Sequence, residues 1–362
     1  MTGDHASESP LSEHDWLLIE TLERAADGSP SVPTLVADGA RVKDWVSLLR
    51  PRRELHAAAP QWIEEVVRRC VATAEPISNC ENGFAIAGVP VRCAFGEVHG
   101  VQVWVGPVGV HPAPRPRVAA WDWVADTELA HHGPGLEELI FVRAPQEVRV
   151  IRTPPEAFGR MVRFDGRLDY FDMVGKLDGR HQSAVDMIGD DDVVRSFQMV
   201  TRADPVARRV RALMHECTDA ASARPDVDMT MLRAVAQRAD DGVGFVWLST
   251  GLIYEWTRIP APPLDRWAVE RPTVHPDDIE DFRAACADLA GTAVDSDGAA
   301  SAREIRTDTG QVRTRRDGAA VQLRLRVRFT DSGWIPVRVE LRPVLVAESG
   351  HGLLRVWAEP TG

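Results

Sequence analysis

The sequence lacks any apolar run approaching the roughly 20 residues that a membrane span requires, and its opening, Met-Thr-Gly-Asp-His-Ala-Ser-Glu-Ser-Pro, is polar and acidic with no apolar signal region. A cytoplasmic protein without membrane contact is expected. Cysteine is scarce. The five residues, Cys70, Cys80, Cys93, Cys217 and Cys286, are odd in number and widely spaced, which argues against a disulfide framework and for reduced thiols. Lysine is nearly missing: of 42 basic side chains only Lys43 and Lys176 are lysines, a pattern read as nucleotide-composition bias. Against 54 acidic side chains this leaves a net charge of −12, which argues against general attraction to nucleic acid or anionic membrane.

Chemical motifs are missing as well. There is no Cys-x-x-Cys, His131-His132 is adjacent rather than separated by a helical turn, and Asp190-Asp191-Asp192 lacks the spacing of an oxygen-ligand loop. No metal site is expected on this pattern. The chain has no Gly-x-Ser-x-Gly elbow, no Walker phosphate loop and no kinase set, and Gly242-Val243-Gly244 lacks the rest of a dinucleotide fingerprint. No catalytic residue is assigned, and the chain is read as a non-enzyme.

What is present is a succession of short β-rich runs and amphipathic helices over 362 residues, enough for three domains. Residues 1–13 read as a flexible tail. Residues 14–116 read as an N-terminal α+β domain: strands at Trp16–Leu22 and Thr34–Ala37, a helix from Pro60 with Trp62, Ile63, Val66, Val67, Cys70 and Val71 on one face, then β-rich runs separated by Gly88, Gly96 and Gly100. Pro107–Pro116 reads as a stiff spacer. Residues 117–203 form a central domain, with short helices over Pro155–Val162 and Leu168–Val174 and strands at Gln182–Ile188 and Val193–Val200. In 204–240, Asp204 and Pro205 open a helical pattern through Val206, Val210, Leu213, Met214 and Cys217, and Asp228 opens another through Leu232. This segment is expected to be a helical linker that relays between domains, and such helices are compatible with a homodimer. Residues 241–362 form the C-terminal domain. There Pro276, Asp277 and Asp278 open a helix with Ile279, Phe282, Cys286 and Leu289 on one face. The alternating runs Val321–Phe329 and Ile335–Leu341 around Asp331-Ser332-Gly333 predict a hairpin.

His275-Pro276-Asp277-Asp278 opening a helix, followed by a hairpin with Gly333-Trp334 at its turn, resembles the second half of a PAS sensor domain. From His14-Asp15-Trp16-Leu17-Leu18-Ile19 onward the chain is similar to mycobacterial and actinobacterial proteins built from three consecutive PAS- or GAF-like domains without an output domain. The resemblance implies an α+β fold in which each domain is an antiparallel sheet with flanking helices. It also implies a sensor that binds a small molecule, with a protein partner supplying the output. It names no cofactor: Asn79-Cys80 resembles the photoactive cysteine of flavin-binding PAS domains, but Glu81-Asn82-Gly83 do not fit. That stretch reads as a turn, and no haem or flavin motif is found.

Two groups stand out as binding candidates. Phe245, Trp247, Tyr254 and Trp256, with Trp267, could line a small apolar pocket, although core packing is the favoured reading because large aromatics dominate ordinary cores. Arg324, Arg326, Arg328, Arg338 and Arg342 on the hairpin could meet an acidic partner or form a solvated face. Two competing classes stay open. One is an enzyme with a composite site at a domain junction, whose first candidates are Asp122, Asp126, His131 and His132. The other is a pocketless scaffold for protein interactions.

Overall fold

Three antiparallel sheets follow one another along the chain, in a computed structural model that describes residues 15–23, 32–48, 59–217, 241–292, 304–306, 312–316, 320–344 and 350–359. The first sheet is built from β1 (Leu17–Glu20), β2 (Thr34–Asp38), β3 (Arg41–Ser47), β4 (Ile77–Glu81), β5 (Phe84–Arg92) and β6 (Val98–Pro107), with helix α1 (Ala59–Thr73) between β3 and β4. Its strand order is β3-β2-β1-β6-β5-β4. Ile63, Val66, Val67 and Cys70 of α1 pack with Leu17, Ile19, Val101, Val103 and Val105. The alternate residues of β1 and β2, Leu18 and Val36, face the second sheet. Because both faces are covered, β1 is buried throughout.

Gly88 and Gly100, expected to separate strands, lie inside β5 and β6. The reason is close approach: a Cβ on Gly88 would stand 2.3 Å from Val66 of α1, and one on Gly100 would stand 2.9 Å from Leu213 of the second sheet. Ser78-Asn79-Cys80 is likewise strand, not turn; the reversal falls at Asn82-Gly83, where both residues take positive φ.

The second sheet contains β7 (Val118–Val124), β8 (Leu129–His132), β9 (Ile151–Arg152), β10 (Met161–Phe164), β11 (Arg180–Ile188), β12 (Val194–Asp204) and β13 (Arg209–Glu216). Three short helices, α2 (Leu136–Ile140), α3 (Pro154–Phe158) and α4 (Arg167–Lys176), belong to it. The expected helix from Val206 is not formed: residues 205–208 turn and β13 pairs with both β12 and β7. The apolar residues of this stretch satisfy two periods at once. Val210, Ala212 and Met214 face the helices while Leu213 faces the first sheet, and two-sided burial erases the alternation that marks a half-buried strand. The central unit therefore extends to Glu216, and Cys217 follows a strand rather than lying on a helix. The remainder of the expected linker, 218–240, and the tail 1–13 lie outside the described residues.

The third sheet has β14 (Gly242–Trp247), β15 (Leu252–Arg258), β16 (Thr273–Val274), β17 (Glu304–Arg306), β18 (Val312–Arg316), β19 (Ala320–Arg328), β20 (Ile335–Pro343) and β21 (His351–Ala358), with helix α5 (Pro276–Thr292) between β16 and β17. The hairpin pairs as its alternation predicts, with Leu323 opposite Val339 and both buried. Ala285, Cys286 and Leu289 of α5 cover them.

The three sheets share the placement of their first strand, and differ in the third, where β16 pairs with β19 instead of extending the sheet beyond β15. The first strand of each lies between the second strand and the last: β1 between β2 and β6, β7 between β8 and β13, β14 between β15 and β21. A helical crossover leads from the early strands to the later ones in each case. Among the described residues no helix is long and apolar enough to cross a membrane.

Candidate functional site

An apolar cavity of about 40 Å³ lies between the second sheet and its helices. Met161 of β10, Met187 of β11, Met199 of β12 and Met214 of β13 line it with Trp121, Trp123 and Phe158. Leu252 of the third sheet contributes to the same wall. Walls of this composition keep such a space dry. Thioether side chains are unbranched and adaptable, so this cavity can change shape at lower cost than one walled by β-branched residues.

One edge of the cavity is polar. His132 at the end of β8 donates from Nδ1 to Glu137 Oε1 at 2.7 Å, and Arg152 of β9 donates to the same carboxylate from Nε at 2.9 Å and Nη2 at 2.6 Å. Arg152 Nη1 also reaches Glu156 of α3 at 2.8 Å. Burial alone would raise the Glu137 carboxyl, but the hydrogen bonds and charges of His132 and Arg152 outweigh it and hold it at about 2. Glu137 sits in the first turn of α2, between Leu136 and Leu139, where the backbone turns its side chain inward while its neighbours fill the core. Glu156 additionally closes a capping box with Thr153, and Thr153 Oγ1 donates to the Ala268 carbonyl of the C-terminal unit at 3.1 Å.

The aromatic candidates divide between the two faces of the β14–β15 hairpin, where a register shift at Tyr254 turns Tyr254 and Trp256, two apart in β15, to opposite sides. Phe245, Trp247 and Tyr254 face the helices of the central unit, whereas Trp256 faces the other way and meets Trp267 at 5.8 Å between ring centroids. Tyr254 stacks on Phe171 of α4 at 3.8 Å and hydrogen-bonds His351 Nδ1 at 2.9 Å. The β14–β15 hairpin thus serves two cores. The candidate arginines are all engaged within the chain: Arg324 and Arg338 share Glu359 at 2.8 and 2.5 Å, Arg326 binds Asp278 at 2.8 Å, Arg342 binds Glu340 at 2.7 Å, and Arg328 lies over the Trp334 ring. The acidic loop is similarly neutralised, Asp190 by Arg143 and Arg160 and Asp191 by Arg195.

Of Asp122, Asp126, His131 and His132, the structure brings together only Asp122 and His131, cross-strand partners on one face. Adjacent strand residues point to opposite faces, so His132 enters the Glu137 network while His131, opposite Asp122 in the register, packs on Phe95 of the first unit at 5.0 Å. Asp126 pairs with Arg208 at the surface. Asp122 is fully buried and bonds His99 Nε2 at 2.9 Å, a partner the sequence reading did not single out.

Buried histidines set the acid limit of this architecture. Burial depresses His215 to about 4 and His351 to about 4, from an ordinary 6.5. A group whose folded pKa is lowered binds protons preferentially in the unfolded chain, so its contribution is complete above about pH 6.5 and is lost as pH falls towards 4. Each contributes up to about 3 kcal/mol that is lost at the acid end. The melting temperature is therefore expected to be flat above pH 7 and to fall steadily between pH 6.5 and 4, with a shallower slope in His215→Gln. A melting temperature unchanged from pH 7.5 to 4.5 would contradict this.

Three successive antiparallel sheets, each with a helical crossover, define an α+β protein, and a crystal structure of an uncharacterized protein from Mycobacterium tuberculosis has a similar fold. The two are 21% identical, the match covers 96% of each chain, and the TM-score is 0.72. Residues 15–114, which contain the first sheet and its helix, match the family described as Rv3651-like, N-terminal. An RNA-binding light-oxygen-voltage receptor is 10% identical over 67% of this chain and 95% of its own, with a TM-score of 0.24, a likeness too slight to bear on the fold. No curated protein matches the chain in sequence.

Proposed function

We propose that the protein is a non-catalytic cytoplasmic sensor of three PAS- or GAF-like domains, whose central domain binds a small apolar molecule and passes its occupancy to a protein partner that supplies the output. The observation that carries this reading is the methionine-walled cavity between sheet and helices. It is apolar, enclosed by both layers of one domain, and touched by Leu252 of the next. Support for the PAS or GAF assignment comes from the shared strand order, in which each first strand is flanked by the second and the last. A ligand that displaced Met199 or Phe158 would press on Tyr254, which meets the Phe158 ring at 6.4 Å, and so reach the β14–β15 hairpin. This route is separate from the relay expected through Pro205–Asp240, of which 218–240 lies outside the described residues.

The test uses methionine-methyl NMR on the full chain with xenon and indole as probes. Both are expected to shift the methyl signals of Met161, Met187, Met199 and Met214 saturably. Met199→Trp, which fills the space, should abolish the shifts while keeping the melting transition cooperative. Methyl signals indifferent to both probes would overturn the ligand-binding reading in favour of a scaffold whose cavity is only a packing defect.

A further inference from the structure

Between the first and second sheets lies a cluster that the sensor reading does not use. Cys93 follows β5, His99 stands in β6 and Asp122 in β7, and one potential ligand atom from each lies within 4.8 Å of the others. All three are buried, with exposures of 2%, 0% and 0%. His99 Nε2 and Asp122 Oδ1 are 2.9 Å apart, and the Cys93 thiol interacts with the same carboxylate. Yet His99 Nδ1 and Asp122 Oδ2 have no hydrogen-bond partner. A buried carboxylate oxygen left unpaired is uncommon in native structures, and an ion at Asp122 Oδ2 is one of the few things that accounts for it.

We propose that Cys93, His99 and Asp122 bind a zinc-type divalent transition metal that fastens the N-terminal domain to the central one. The donor set decides the class of ion: sulfur, imidazole nitrogen and carboxylate oxygen suit zinc and its neighbours, whereas magnesium and calcium favour oxygen alone. Charge agrees, because a dication between one thiolate, one carboxylate and a neutral imidazole makes a buried site of zero net charge. Binding releases the Cys93 thiol proton to solvent and shifts the His99 proton from Nε2 to Nδ1, which frees the thiolate and Nε2 to form metal bonds with no change of oxidation state. Asp122 Oδ2, the oxygen not bonded to His99, is the one offered to the metal, and the 2.9 Å hydrogen bond between His99 Nε2 and Asp122 Oδ1 opens as Nε2 takes the ion. Arg211 acts on Asp122 from the next strand, but its own charge is matched by Glu97 at 2.6 Å and Asp204 at 3.1 Å. Three protein ligands leave a fourth position for water.

The experiment takes the full chain, measures zinc by mass spectrometry after dialysis against micromolar zinc, and records the absorption spectrum after cobalt substitution. About one metal per chain is expected, with a near-ultraviolet thiolate-to-cobalt charge-transfer band and the visible bands of a four-coordinate ion. Cys93→Ser should lose the charge-transfer band and bind zinc about 100-fold more weakly, while Cys80→Ser, at an exposed cysteine, should keep both. Substoichiometric zinc in the wild-type chain, or a cobalt spectrum without the thiolate band, overturns the proposal even if Cys93→Ser fails to fold. An unaltered spectrum in a folded Cys93→Ser variant does so too, and would leave the cluster as a hydrogen-bonded latch.

Discussion

Glu137→Ala is expected to destabilise the protein by about 3–5 kcal/mol, the cost of breaking a buried ion pair from one side. Glu137 is 1% exposed, and its carboxylate accepts from His132 Nδ1, Arg152 Nε and Arg152 Nη2, with the Arg149 backbone N–H at 3.3 Å. Removing it leaves the Arg152 guanidinium, itself 3% exposed, with Glu156 as its remaining anion. Breaking and replacing are different operations. A Glu137→Met, Arg152→Met double variant removes both charges and supplies apolar volume, and should recover most of the loss. Urea unfolding monitored by tryptophan fluorescence checks both variants, and a Glu137→Ala cost below about 1 kcal/mol would show that the network is solvated in solution. Because the folded carboxyl is held at about 2, below its ordinary 4.5, the stabilisation is complete above pH 4.5 and is lost as pH falls towards 2.

Tyr254→Ala is the second large effect, expected at about 3–5 kcal/mol, as for other aromatic-to-alanine changes in a packed core. The side chain is 2% exposed and contacts the rings of Phe158, Phe171 and Phe245. Its hydroxyl is also lost: His351 is kept neutral by burial and is hydrogen-bonded to the Leu168 backbone, so Tyr254 donates to His351 Nδ1, which the variant leaves unpaired. The location of the damage matters as much as its size. Hydrogen exchange should show loss of protection in α3 and α4 as well as in β14 and β15, because the ring is shared between units. Loss confined to the third sheet would show that the hairpin does not couple them.

The C-terminal hairpin was legible because it obeys the simplest rule: Leu323, Leu325 and Val327 point inward while Gln322 and Arg324 point out, and one covered face produces clean alternation. Helix α1 was legible for the same reason at its own period. Strand β13 was not. Arg209–Glu216 is covered by helices on one side and by the first sheet on the other, so its apolar positions fit helix and strand alike, and Asp204-Pro205 supplied a cap signal that the chain uses as a turn. The site was less visible than the fold. Adjacent histidines looked like one feature, yet a strand sends His131 and His132 to opposite faces and different partners. Glu137 left one trace, a charged residue enclosed by Leu136, Leu139 and Ile140. Its partner Arg152 lies 15 residues further on, across a loop whose path local pattern does not determine. Cys93 and His99 flank one turn between β5 and β6, and Asp122 joins them only when the second sheet docks.

The β14–β15 hairpin also limits how such a protein can diverge. A domain that owns all of its core can be duplicated, lost or exchanged as a cassette. Here Tyr254 and Trp247 finish the interior of the preceding unit, while Val246 and Trp256, on the opposite side of the same two strands, finish their own. Neighbouring positions in one hairpin thus answer to different selective pressures, and recombination at the boundary between the second and third sheets would separate a lineage's central core from the residues that close it. Inheritance of these two units should accordingly be joint, with drift at Phe171 tracked by drift at Tyr254.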